Sequence, residues 1–197
     1  MHTILLKTLN FAKSYPRAAA FLLGGLSILY FAPFHFSPVG IISFSGLLYL
    51  VNLPIWSDRP YLYGWWFGFG YFVGGLYWIA NALKTVGLWY FMPLGWFGLP
   101  AFLALFIAPI LGLTIKYSHP GVKRCLLFAL LWSVAEYARG HVLSGFPWNL
   151  NGYTWSLEVL QLTSALGIYG LSLLTTLLFV SFASQTKKFP ITCVVFL

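Results

Sequence analysis

The chain is a series of long apolar runs separated by short stretches of proline, glycine and charged residues. An α-helix rises 1.5 Å per residue, so about 20 apolar residues cross the hydrocarbon core of a bilayer. Six runs approach or reach that length: residues 18–34, 39–56, 61–83, 94–115, 125–143 and 157–183. Pro33 and Pro38 punctuate the turn between the first two. The fourth holds Pro100 and Pro109, which kink a membrane helix without expelling it. Residues 189–197 stay apolar to the last position, yet as a helix they extend only about 13 Å. The pattern predicts an all-α integral membrane protein: a basic stretch at 1–17, a six-helix transmembrane domain at 18–188, and the truncated start of a seventh helix at 189–197. The half-length last run reads as the mark of a truncated product, a partial gene model or a frameshifted remnant.

Composition strengthens this picture. Of 197 residues, 60% are hydrophobic, 20% aromatic and 7% charged, and the mean hydropathy is +0.84. A soluble domain carries about 25% charged residues, so this chain lacks the polar surface that a water-facing fold needs. Its two cysteines, Cys125 and Cys193, support neither a disulfide framework nor a zinc site.

The net charge of +8 would suggest nucleic acid on a soluble chain; here it reads as topology. Cytoplasmic loops concentrate Lys and Arg. With six alternating crossings, Lys7, Lys13, Arg17, Arg59, Lys116, Lys123, Arg124, Lys187 and Lys188 fall on one side, and only Lys84 and Arg139 on the other. This asymmetry predicts a cytoplasmic N-terminus and outer loops at 33–38, 84–93 and 140–156. The basic N-terminus lacks a small-x-small cleavage site after the first run, so that run reads as a retained helix.

Candidate chemistry is sparse. Gly64, Gly68 and Gly75 share one face of the third run, with Gly70 and Gly74 on a neighbouring one. That spacing serves close helix packing or a lipid groove. Tryptophans such as Trp65, Trp66, Trp78, Trp89, Trp96 and Trp148 suit an interfacial belt. On the fifth run Trp132, Glu136 and Arg139 stand at i, i+4 and i+7, hence on one face. A carboxylate inside a bilayer is expensive unless paired, and Arg139 is the obvious partner. The pair is either an internal clamp between helices or the mark of a substrate path. An aromatic loop follows, with Phe146, Pro147, Trp148 and Tyr153, whose rings suit headgroup depth while Pro147 limits the backbone. His141 reads as an interfacial hydrogen-bonding residue, and Glu158 behind Ser156 as a favourable charge at a helix start. No phosphate loop, metal cluster, cofactor motif or Ser-His-Asp ordering is found, and no residue is assigned a catalytic role.

The pattern Trp132-x3-Glu136-x2-Arg139-Gly140-x4-Gly145-Phe146-Pro147-Trp148-x3-Gly152-Tyr153 resembles the bacterial apolipoprotein N-acyltransferases. Phe31-Ala32-Pro33-Phe34 with Ser37-Pro38, Gly68-Phe69-Gly70 with Trp78-Ile79, and Gly167-Ile168-Tyr169-Gly170 are similar to further stretches of that family, in order along nearly the whole chain. The resemblance implies a multi-pass protein of the bacterial inner membrane. Its family moves an acyl chain from a membrane phospholipid to the amino group of a lipoprotein's diacylglyceryl-cysteine. It also implies that the chemistry belongs to a nitrilase-like domain after a seventh helix, with a Glu, Lys and Cys triad. No residue here matches that triad, so the chain alone is expected to be inactive. Glu136, Arg139, Phe146, Pro147, Trp148 and Tyr153 are the expected lipid-binding residues. The competing readings are a small transporter or membrane assembly subunit that uses Glu136 and Arg139 in a polar path, and a noncatalytic pseudogene product.

Overall fold

A computed structural model describes residues 2–143 and 145–184. The expected seventh-helix start, Lys187, Lys188 and Cys193 lie outside the described residues. Among the described residues all regular structure is helical.

Prolines set where many helices begin. Pro16, Pro38, Pro54, Pro60 and Pro100 occupy the first turns of α2 (Pro16–Gly25), α3 (Pro38–Leu50), α4 (Pro54–Ser57), α5 (Pro60–Leu76) and α7 (Leu99–Tyr117). There the fixed φ is already helical and the missing N–H costs nothing. The basic N-terminus is itself helical, as α1 (His2–Ser14), and Tyr15 joins it to α2. The 3₁₀ turn Leu26–Tyr30 extends α2.

The second predicted run is not one helix. Pro54 holds Leu53 extended, so α3 stops and the single turn α4 follows. Buried Trp56 on α4 donates its indole N–H to the Ala12 carbonyl at 3.2 Å, clasping α1. In the third run, α5 passes through helical Tyr77 into α6 (Trp78–Thr85). The α6 end is closed by Gly87 at φ 80°, with bonds from Gly87 N to Lys84 O and from Leu88 N to Leu83 O. This is the glycine-terminated helix end that supplies partners to the last carbonyls. The chain returns through a 3₁₀ turn (Trp89–Phe91) and a π-helical turn (Leu94–Gly98) into α7, which contains Pro109. Then come α8 (Val122–His141), a loop with the 3₁₀ turn Asn151–Thr154, α9 (Leu157–Leu160) and α10 (Thr163–Val180).

Gly167 breaks α10 with φ 67° and ψ 166°, so the expected sixth helix from residue 157 is interrupted twice. Two helical stretches are long and apolar enough to cross a membrane: the 29 residues Trp89–Tyr117 and the 22 residues Thr163–Ser184. The apolar stretches Pro16–Tyr30 and Pro38–Leu50 are shorter. The expected all-α class is therefore seen among the described residues, as a bundle of helices of unequal length, two of which reach full membrane-spanning length.

Helix α5 lies between α7 and α2, and α10 packs on α8 and α3. The glycines serve packing on two faces. A Cβ on Gly64 or Gly68 would meet Ala108 O at 2.9 Å or Ile107 Cβ at 2.7 Å on α7. One on Gly70 would stand 2.0 Å from the Phe21 carbonyl on α2. Small residues let helix backbones touch, and in lipid this contact, not water exclusion, holds helices together. At the centre, Phe44 of α3 meets the rings of Trp132, Phe67 and Phe179 at 4.7, 5.4 and 5.6 Å between centroids. Arg124, expected as a topology signal, is instead buried. It donates to the Ser118 carbonyl at 2.8 Å and to Asn52 Oδ1, tying the end of α3 to the turn before α8.

Glycine crossings make a stability test with opposing terms. Alanine in a helix gains about 1 kcal/mol over glycine by propensity, whereas forcing a methyl into close-packed backbone costs about 1–3 kcal/mol or more. Gly70→Ala should therefore lower the melting temperature of the purified chain. Gly46→Ala, whose Cβ meets only Leu23 at 3.4 Å, should leave it unchanged or raise it slightly. Equal shifts for the two variants would refute the crossing.

Candidate functional site

The loop after α8 folds back onto the bundle because buried polar groups require partners there. Glu136 is 1% exposed and Arg139 2% exposed. The two share a face of α8, as the spacing predicts. Each is also held by a set of neutral partners. Glu136 Oε1 accepts from the Trp132 indole at 3.0 Å and from the Asn151 backbone N–H at 2.9 Å, and Oε2 accepts from the Ser172 hydroxyl. Arg139 Nη1 donates to the Phe146 carbonyl at 2.8 Å and to the Trp148 carbonyl, while its guanidinium stands 5.1 Å from the Phe72 ring centroid. Phe146 N returns a bond to Arg139 O at 2.7 Å.

The loop groups they hold are themselves buried or part-buried, and leaving a buried one without a partner costs about 1–3 kcal/mol. Hydrogen bonds to a charged group are also the stronger kind, so each ion gains from several neutral dipoles.

Asn151 is the hub of the docked loop. Its Oδ1 accepts from the Tyr30 hydroxyl at 2.8 Å, and its Nδ2 donates to Thr176 Oγ1 at 2.9 Å. The single Tyr71 proton is shared between the Asn149 carbonyl at 2.6 Å and Asn151 Oδ1 at 3.1 Å. Gly152 N donates to Ser172 Oγ, Thr154 Oγ1 to the Tyr30 carbonyl, and the Trp155 indole to Thr175 Oγ1. The loop is thereby pinned to α5, α8, α10 and the end of the α2 extension. Sequence reasoning missed Tyr30, Tyr71, Asn151, Ser172 and Thr176. One signal was available: Ser172, Thr175 and Thr176 form a polar stripe at helical spacing in an otherwise apolar helix.

The anchored backbone leaves its aromatic side chains free. Trp148 is 55% exposed and Tyr153 47%, whereas Phe146 is half-buried and Pro147 exposed. The Trp148 ring meets Trp78 edge-to-face at 5.7 Å. Between them and the α2 extension lies an open groove of about 250 Å³, bordered by Ile28, Phe31, Trp78, Trp148 and Tyr153. The site brings Glu136, Arg139 and the loop together, with the two charges buried beneath the loop and the groove beside it.

His141 lies apart, stacked on Tyr137 at 4.1 Å with Nδ1 2.8 Å from the Tyr137 carbonyl. Glu158 is exposed on α9, its carboxyl held below the usual carboxylate range by a hydrogen bond with Ser156 and its own backbone N–H.

A membrane protein, helical throughout its described regular structure, with a clamped aromatic loop beside an open groove is the class that fold and site define. Residues 23–181 match the family model described as the apolipoprotein N-acyltransferase N-terminal domain, and the chain belongs to that family. Among similar proteins, the apolipoprotein N-acyltransferase of Rhodopseudomonas palustris is 41% identical over 171 residues, covering 82% of this chain and 32% of the relative. Those of Rickettsia prowazekii and Brucella melitensis are each 38% identical, covering 85% of this chain and 34% of the relative. The chain thus spans about a third of the length of the curated relatives it matches.

Removing the hub should expose the coupling within it. Asn151→Ala leaves the buried Tyr30 hydroxyl without its acceptor and should lower stability by about 1–3 kcal/mol. In a Tyr30→Phe/Asn151→Ala double variant the orphan is gone, so the combined loss should fall short of the sum by about 1 kcal/mol, read from thermal melts. Strict additivity would contradict the network.

Proposed function

We propose that this chain is the membrane domain of an apolipoprotein N-acyltransferase, and that it seats the acyl-donor phospholipid near the outer leaflet of the bacterial inner membrane. The lipoprotein acceptor meets the donor at that face. Six passes from a cytoplasmic N-terminus are supported by the uneven distribution of cations, with Trp148 and its loop outside. The passes fall within 18–188, with 1–17 as the basic cytoplasmic segment.

The observation that carries this reading is the loop itself: its backbone is fixed from beneath by Glu136, Arg139 and Asn151, while Trp148 and Tyr153 stay exposed beside a groove lined mainly by apolar side chains.

Glu136 and Arg139 hold the loop; Phe146 and Pro147 shape it; Trp148 and Tyr153 border the acyl chain. Their contribution is orientation of one substrate for transfer, and misplacement by about 1 Å can cost on the order of 100-fold. We assign no catalytic residue within this chain.

Two experiments test this. With both native cysteines replaced by serine, Trp148→Cys should react with a membrane-impermeant thiol reagent added outside spheroplasts; labelling only after lysis would reverse the topology. With the chain joined to the remainder of the Rhodopseudomonas palustris enzyme, Arg139→Ala and Trp148→Ala should cut lipoprotein acylation at least tenfold while membrane insertion persists. Normal acylation by both variants would remove the loop from substrate positioning.

A further inference from the structure

The groove contains one polar group that nothing in the protein satisfies. Asn149 is half-buried on the groove wall, and its Nδ2 is buried without a hydrogen-bond partner. An orphaned buried donor is costly, and natural folds rarely retain one without a reason. Its surroundings hold it in place. Asn149 sits at φ 61°, a left-handed conformation that asparagine tolerates better than most residues. Its own carbonyl accepts from Tyr71, and the preceding Trp148 carbonyl from Arg139. The backbone is thus fixed on both sides while the carboxamide is left unused. Gly75 makes room for it: a Cβ there would stand 2.3 Å from Asn149 Nδ2 and 2.5 Å from Oδ1.

We propose that the Asn149 carboxamide donates a hydrogen bond to the carbonyl oxygen of a fatty-acyl ester lying in this groove. This rests on the reading of the groove as a lipid seat and adds the group that recognises the lipid. A small turn about the last side-chain bond, which is soft for an amide, moves Nδ2 from the Gly75 face toward the groove. The chemistry of the lining selects the ligand class. No charged residue borders the groove, so neither a phosphate nor an ammonium finds a counter-charge there. Aromatic and aliphatic walls from Phe31, Trp78 and Trp148 suit a hydrocarbon chain, and a neutral donor suits a neutral acceptor. An acyl ester of a glycerolipid combines the two.

The test compares two lipids that differ only at the acceptor. The purified chain, in detergent, is offered equal amounts of dioleoyl phosphatidylcholine and its di-ether analogue, which lacks both carbonyls, and retained lipid is counted by native mass spectrometry. The wild-type chain should retain the ester roughly fivefold over the ether, the range expected for one neutral hydrogen bond. Asn149→Gly, which suits the positive φ and removes the amide, should bring the ratio to one without changing ether retention. Gly75→Ala, which displaces the carboxamide, should do the same. Equal retention of both lipids by the wild type, with Trp148→Ala reducing both, would overturn the Asn149 role and leave the lipid seat standing. Retention of neither lipid responding to Trp148→Ala would overturn the seat and this proposal with it.

Discussion

A carboxylate sealed inside a greasy bundle must be solvated by the protein, and the way Glu136 is solvated determines the architecture of the loop that follows α8. One of its oxygens takes a backbone N–H from Asn151, fifteen residues further along the chain, so the α8 helix cannot bury its acid unless the following loop folds back over it. Arg139 makes the same demand from one turn away, because its guanidinium gathers the carbonyls of Phe146 and Trp148. Two buried polar side chains on one face of α8 together hold a loop. In a low-dielectric interior each such bond is strong and each unmade one costly, so the loop is held by several bonds that cannot be surrendered singly.

The groove beside the loop follows from that clamp. Its walls come from the α2 extension, the end of α5, Trp78 and the loop's own Trp148, Asn149 and Tyr153. Most polar groups beneath the loop are spent on structure, so the groove is lined mainly by aromatic and aliphatic side chains, with no charged residue among them. That division of labour fits the proposal that the domain orients a lipid and leaves bond-making to other groups.

The helical class, the runs that became α7 and α8, and the loop's prominence were legible because they depend on hydrophobic period and on residues close in sequence. The spacing of Gly64, Gly68 and Gly70 was read as serving close helix packing or a lipid groove, and these three lie at helix crossings. Interruptions were less visible. Gly167 looks like any glycine in an apolar run, and its extended break depends on φ and ψ values that periodicity does not encode. The shared face of Glu136 and Arg139 was legible, like α7 and α8, from residues close in sequence. Spacing of three on a helix puts two charges on one side, but their further partners, Ser172 and Asn151, arrive from elsewhere in the fold. Asn149 and Asn151 stand two residues apart in the aromatic loop, and spacing alone does not separate their roles. That one is the hub and the other the orphan follows from which of them Tyr30 and Thr176 meet.

Hydrogen–deuterium exchange at individual loop amides is the most direct examination of the clamp, because the N–H groups of Phe146 and Asn151 are the bonds that tie the loop to α8. Measured on the purified chain in lipid, both should exchange as slowly as amides in the middle of α8. If they exchange as fast as an unstructured peptide while α8 itself stays protected, the loop is not clamped by Glu136 and Arg139, and the site described above does not exist as a preformed structure.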